Sequence, residues 1–268
     1  MSLIYNATFD SQTRVLSLLD KAGNVISSCE VPSKGLVDDI TKPLTFKATQ
    51  DGSTVTLKKS ISSLRGTFQT SRDGGNTWTD YTIDTAITLN TGDEVSFRAK
   101  ADRTTEQLGY YYYLYFEMTG KIEAWHNVMS MFRTNDFATY KSVGVYAFFK
   151  LFQGCTSLVK APALPATTIA AYCYNSMFGG CQSLTKAPEL PATTLRDYCY
   201  AGMFSDCQSL KEVRISATKD ASFALVHWLQ NVSATGDFYC DPNATIFPTD
   251  DSGIPRNWTR RNIADYPN

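Results

Sequence analysis

The chain has 268 residues, with 25 basic and 26 acidic side chains. That length allows two domains and a sizeable core. The near-zero net charge supplies no basic stripe for nucleic acid and no polybasic run for anionic lipid, and no apolar run of about 18 residues could span a bilayer.

Aromatic content is 13%, with 15 Tyr and 15 Phe, which fits a β-rich surface protein better than a helical enzyme. The start, MSLIYNATFD, has neither the charged nor the apolar region of a secretion signal. Either such a signal has been removed, or export follows another route, such as phage assembly and lysis.

In chain order, residues 3–31 read as three short strands, Leu3–Phe9, Arg14–Leu19 and Val25–Val31. The turn Asp20-Lys21-Ala22-Gly23-Asn24 carries residues that accept positive φ. A lone meander of ~30 residues is marginal in water, so it must pack on something. Residues 1–35 are therefore expected to be an attachment segment or an extra sheet on the next domain. A polar linker runs from Pro32 to Lys42.

A second β region follows over 43–120. Its expected strands are Leu44–Ala48, Thr54–Lys58, Thr67–Thr70, Thr77–Ile83, Ala86–Leu89, Glu94–Ala99 and Tyr110–Phe116. Asp51-Gly52, Asp73-Gly74-Gly75-Asn76 and Asn90-Thr91-Gly92-Asp93 separate them. Short strands at that spacing predict an antiparallel β-sandwich-like domain.

From there a 26-residue period governs the chain. Phe152, Phe178 and Phe204 are in phase, as are Cys155, Cys181 and Cys207, and Leu158, Leu184 and Leu210. Pro162-Ala163-Leu164-Pro165 returns as Pro188-Glu189-Leu190-Pro191, and Tyr172-Cys173-Tyr174 returns as Tyr198-Cys199-Tyr200. A period in the twenties predicts a leucine-rich solenoid. The prolines dictate an extended segment, and Thr193 and Thr194 can cap a helix in which Leu195, Cys199 and Met203 share one face. Ser222–Val232 reads as an amphipathic helix with Leu225, Trp228 and Leu229 inward, and Gly236–Cys240 as a strand.

The expected fold class is thus α+β: an N-terminal antiparallel β meander and β-sandwich-like domain, then a short capped leucine-rich-repeat solenoid over 121–268. The solenoid divides into a cap at 121–142, repeats at 143–212 and a C-terminal cap at 213–268, because solenoid ends need covering.

The repeat APxLPATTL followed by CYxxMFxxCxSL resembles the BspA-like leucine-rich repeat proteins of the Treponema pallidum type, over about 118–260. That resemblance implies a surface-exposed adhesion or interaction role and no catalytic residues. Residues 1–35 lie outside it and are similar to short β-hairpin starts of phage structural proteins.

Ser71-Arg72-Asp73-Gly74-Gly75-Asn76-Thr77-Trp78 fits the S-x-D-x-G-x-T-W pattern of the Asp-box. Asp73, Gly75 and Trp78 are expected to hold a structural turn; a glycoside hydrolase is the remote alternative. Asp136, Glu189, Asp197 and Asp206 could serve hydrolysis by residue type alone, and a solvated face is the expected reading. His126 and His227 are expected to pack rather than ligate.

Five of the seven cysteines sit at equivalent repeat positions, which predicts buried thiols. No metal site or cofactor is expected. Tyr174 and Tyr200, one repeat apart, and Lys160, Lys186 and Glu189 beside the short strands are the candidate binding residues.

These readings converge on a non-enzymatic, surface-displayed recognition protein that binds protein or surface glycan of a host or neighbouring cell. The alternative is a phage virion structural or host-attachment protein that meets other virion subunits through residues 1–35. Location follows suit: extracellular or cell surface, or a phage virion.

Overall fold

The computed structural model describes residues 6–10, 15–30, 38–64, 66–104, 108–250 and 252–266. The chain divides into two compact units, one up to Asp38 and one from Asp39.

The first unit is an antiparallel sheet of β1 (Asn6–Asp10), β2 (Val15–Leu19) and β3 (Val25–Glu30) in that order. Asp20 closes the β2–β3 turn. Its carboxylate accepts from the Ala22 and Asn24 amides at 2.8 and 2.9 Å, and Gly23 supplies φ +86°. The expected beginning at Leu3 and the expected linker at 32–37 lie outside the described residues.

The second unit starts with two facing sheets. One contains β4 (Thr45–Ala48), β6 (Phe68–Ser71), β7 (Thr79–Tyr81), β9 (Glu94–Ala99), β11 (Ile122–Trp125) and β12 (Leu158–Lys160), in the order β12-β11-β4-β9-β6-β7. The other is β10-β5-β8, from β5 (Ser53–Lys59), β8 (Ile87–Leu89) and β10 (Leu114–Thr119). Alternation puts Phe46, Phe97, Leu57 and Phe116 into the space between them. Phe116 meets Phe46 and Phe97 edge-on at 4.7 and 5.3 Å.

Tyr110–Phe116 is not the strand its apolar run suggests. Gly109 and Tyr112 exchange both backbone hydrogen bonds at 3.0 Å, and the strand begins at Leu114. Ile122–Trp125, expected as a cap, is a strand of the larger sheet, antiparallel to β4 and parallel to β12. One sheet therefore runs from the sandwich into the repeats.

The repeats stack, but not as strand-plus-helix coils. The amides of Tyr172, Tyr174, Ser176, Phe178 and Gly180 donate to the carbonyls of Asp197, Cys199, Ala201, Met203 and Ser205, at 2.7–3.0 Å. The amides between them turn back within the coil: Asn175 to Tyr172, Met177 to Tyr174, Gly179 to Ser176. The coil at 146–154 makes the same bonds to 171–179, and the coil at 198–206 makes them to 222–230. Every fourth residue has positive φ. These are Tyr146, Lys150 and Gly154; Tyr172, Ser176 and Gly180; Tyr198, Gly202 and Asp206; then Phe223, His227 and Asn231.

This corrects the α+β expectation. The chain is 3% helical and 29% strand, and among the described residues no α-helix and no leucine-rich solenoid forms. The only helical pieces among the described residues are 3-10 turns at Val128–Met131 and Ile263–Asp265. An α-helix requires negative φ throughout. An apolar residue every four positions suits one face of a helix and equally suits a turn that repeats every four residues. Ser222–Val232 is a fourth such coil rather than a helix, although Leu225, Trp228 and Leu229 do face inward.

Like residues stack on like. Phe116, Phe152, Phe178 and Phe204 form a buried row with ring centroids 5.4, 5.4 and 5.5 Å apart, and Trp228 ends it at 6.4 Å. The far end is closed by a parallel sheet of β13 (Glu212–Arg214), β14 (Gly236–Cys240) and β15 (Trp258–Asn262).

The far-ultraviolet circular dichroism spectrum should lack the helical double minimum. Phe178→Ala removes a fully buried ring from the middle of the row and should cost about 3–5 kcal/mol in denaturant unfolding. A loss under about 1 kcal/mol would contradict the packing described.

Candidate functional site

The Asp-box is a closed polar turn between β6 and β7. The Ser71 hydroxyl donates to Asp73 Oδ1 at 2.6 Å, the Thr77 amide donates to the same oxygen at 2.9 Å, and the Thr77 hydroxyl donates to Oδ2 at 2.7 Å. Those bonds, the Ser71 hydroxyl first, hold the Asp73 carboxyl well below the usual carboxylate range. Gly75, at φ +97°, presents its carbonyl to Trp78 Nε1 at 2.9 Å, and the Arg98 guanidinium lies 4.2 Å over the Trp78 ring. Three donors of its own turn thus engage the Asp73 carboxylate.

The other carboxylates considered for hydrolysis are occupied in similar ways or stand on the open face. Asp136 is paired with Arg133 at 2.8 Å, Glu189 with Arg214 at 3.3 Å, and Asp206 accepts from Asn231 Nδ2 at 2.8 Å; Asp197 is exposed. His126 Nδ1 accepts from the Asp39 amide at 3.2 Å. His227, expected to pack, is exposed.

Among the proposed binding residues, the lysines and Glu189 form a charged strip on the strand side. Lys160 Nζ sits 3.8 Å from the Trp125 ring centroid. Lys186 pairs with Glu212 at 2.8 Å and stands over the Tyr266 ring, which Arg214 also faces. Lys186 and Glu189 thus meet β13 and the end of the chain, and they remain half-exposed.

Tyr174 and Tyr200 are corrected. Both are 1% exposed, and they stack at 5.8 Å inside the coils between Phe148 and Trp228. Burial pushes both phenols well above their ordinary range, and the Tyr174 hydroxyl has no hydrogen-bond partner. They are packing residues.

The outward tyrosines are the ones two residues earlier. Tyr146, Tyr172 and Tyr198 stack face to face at 4.8 Å with interplanar angles of 15° and 7°, and Phe223 continues the row at 5.2 Å. The tyrosines are half-buried and Phe223 is 62% exposed. Ring faces cover one another, so edges and hydroxyls face outward. Burial, then the neighbouring phenols, raise the Tyr172 hydroxyl above its ordinary range, which keeps it a neutral donor and acceptor.

All four have φ between +54° and +57°. A bulky residue there is a genuine outlier, costing about 1–2 kcal/mol.

The row continues onto the sandwich. Phe149 meets Tyr146 edge-on at 5.4 Å, and Tyr113 and Tyr110 meet Phe149 at 5.3 and 5.7 Å. Tyr110, Tyr111 and Tyr112 are strongly exposed, and Lys150 Nζ lies 5.4 Å from the Tyr110 ring. Sequence reasoning held the signal for this surface, since Tyr146, Tyr172 and Tyr198 share the period. It selected the other tyrosine of each Tyr-Cys-Tyr by assuming a helix.

The repeat cysteines are all buried. Cys155, Cys181 and Cys207 each place Sγ 3.0–3.1 Å from a carbonyl in the preceding layer. Burial pushes the thiols of Cys155 and Cys207 up to about 12. Among the described residues no three His, Cys, Asp or Glu converge as a metal site would need.

No family model, curated protein or solved structure matches the chain.

Two outcomes check this geometry. Asp73→Asn should lower the melting temperature at neutral pH. Because the folded carboxyl titrates below its unfolded value, the deficit should shrink as the pH falls below about 4. The five repeat cysteines should resist alkylation by a thiol reagent until the chain is unfolded.

Proposed function

We propose that the chain is a non-enzymatic recognition protein that engages protein or glycan through its outward aromatic row and displays that row at a cell surface. The observation that carries this reading is the placement of four bulky rings at positive φ along one edge. Gly154, Gly180 and Gly202 serve the same backbone geometry without strain. Strained residues concentrate where function holds them. Stacking within the row offsets part of that cost, at ~0.5–1.5 kcal/mol per pair.

A row of tyrosine edges and hydroxyls offers rigid contact area together with hydrogen bonding, as tyrosine-rich binding surfaces do. The motif resemblance to BspA-like surface proteins points to the same class of work. Among the described residues no helix is long and apolar enough to cross a membrane.

A second reading is favoured by the division of the chain at Asp38. A separate three-stranded unit ahead of the display unit suits a virion protein anchored by residues 1–35, with the aromatic row directed to the host.

The test is binding of the purified chain to a glycan array and to intact bacterial cells, with Tyr172→Ala/Tyr198→Ala as the comparison. The double variant should keep its fold and lose at least about tenfold in affinity, as removal of central interface aromatics does. Unchanged binding by the variant would sink the aromatic-row reading.

A further inference from the structure

The stack has a direction. In the first three coils the amides of alternate residues point toward the next coil, and each ends on a carbonyl there. The last of these, at the positive-φ turn, are short: Gly154 to Gly179 at 2.8 Å, Gly180 to Ser205 at 2.7 Å and Asp206 to Gln230 at 2.8 Å. The fourth coil repeats the geometry. Phe223, His227 and Asn231 have the same positive φ as Tyr198, Gly202 and Asp206, and the amides of Ala224, Val226, Trp228 and Gln230 turn back within the coil as their counterparts do. Leu229 and Asn231 therefore occupy the places of Phe204 and Asp206, whose amides point onward.

No fifth coil follows. Among the described residues, neither the Leu229 nor the Asn231 amide has a carbonyl to meet. Both residues line a cavity of about 340 Å³ whose wall also carries Arg256 and Asn257. The Leu229 side chain is 1% exposed in the core, and the Asn231 side chain reaches back to Asp206 Oδ1 at 2.8 Å. By the register of the earlier coils, these two residues bring onward-pointing backbone amides to the cavity wall. Arg256 is exposed and makes no ion pair or hydrogen bond among the described residues. Asp250 also lines the cavity, with its Oδ1 engaged by the Ser252 amide at 2.8 Å.

Alternate amides at a turn of this kind point to the same side and donate to electronegative oxygen, as backbone N–H nests do. In the interior coils that oxygen is the carbonyl of the next layer. We propose that the concavity at Leu229 and Asn231 binds an oxyanion, carboxylate or phosphate, with Arg256 supplying the countercharge. The backbone amides provide directional donors, and the guanidinium provides the charge-assisted bond that makes a planar or tetrahedral oxyanion preferable to a neutral oxygen. This site lies on a different part of the stack from the aromatic row and does not rest on it.

The test is titration of the full-length, isotopically labelled chain with sodium phosphate and, separately, sodium acetate at constant ionic strength, read by amide chemical shifts. The expected result is saturable movement of the Leu229 and Asn231 amides with one or both anions. The exposed substitution Arg256→Ala should weaken that binding by about tenfold, in keeping with loss of one charge-assisted bond. Saturation by only one of the two salts would identify the preferred oxyanion and support the proposal. Absence of saturable movement at those two amides, or movement that Arg256→Ala leaves unchanged, would overturn it.

Discussion

The structure depends on the direction of alternate backbone amides. Once Tyr174 donates to Cys199 and Phe178 to Met203, the offset between coils is set, and every side chain comes to lie over its counterpart one repeat on. The rows of Phe, Cys, Leu and Tyr follow from that register. It requires a backbone that reverses φ every fourth residue, which is costly for most side chains. Gly, Asp and Asn meet the demand at several of these places; Ser176, Lys150, His227 and the aromatic row occupy the others. A buried amide that found no acceptor would cost about 1–3 kcal/mol. Burial of the stacked apolar rows holds the coils together, and the interlayer bonds fix their register.

The same register explains why the sandwich and the repeats belong to one compact unit. Phe116 stands where a preceding coil would place its phenylalanine, parallel to Phe152 within 12°. Cys155 Sγ reaches the Phe116 carbonyl at 3.0 Å, just as Cys181 reaches Phe152 and Cys207 reaches Phe178. β10 thus serves as the template on which the first coil is laid, and β11 continues its sheet into β12. At the other end, Trp228, one residue before the phenylalanine place, caps the Phe204 and Tyr200 rings, and Phe238 crosses it edge-on at 5.9 Å.

Much of the β architecture was legible in the sequence. Period-two alternation and Asx-Gly turns located β4, β5, β6 and β9 to within a residue or two, because each strand buries one face and each turn needs positive φ. The Asp-box was legible because its function is local: Ser71, Asp73 and Thr77 satisfy one another within seven residues. The 26-residue period was legible as a stacking unit. The conformation inside the unit was not. Leu195, Cys199 and Met203 recur every four positions, and pattern alone does not distinguish a helical face from a chain of turns. The informative sign was Gly154, Gly180 and Gly202 at four-residue phase with aromatics. That error moved the candidate binding surface from Tyr172 and Tyr198, which face out, to Tyr174 and Tyr200, which do not.

The central claim concerns where the coil amides point, and a scalar coupling across the hydrogen bond reads this directly. In labelled protein the Tyr174 amide nitrogen should couple to the carbonyl carbon of Cys199, one layer on. Coupling to the carbonyl of Ala170 instead, the acceptor an α-helix would supply, would contradict the account.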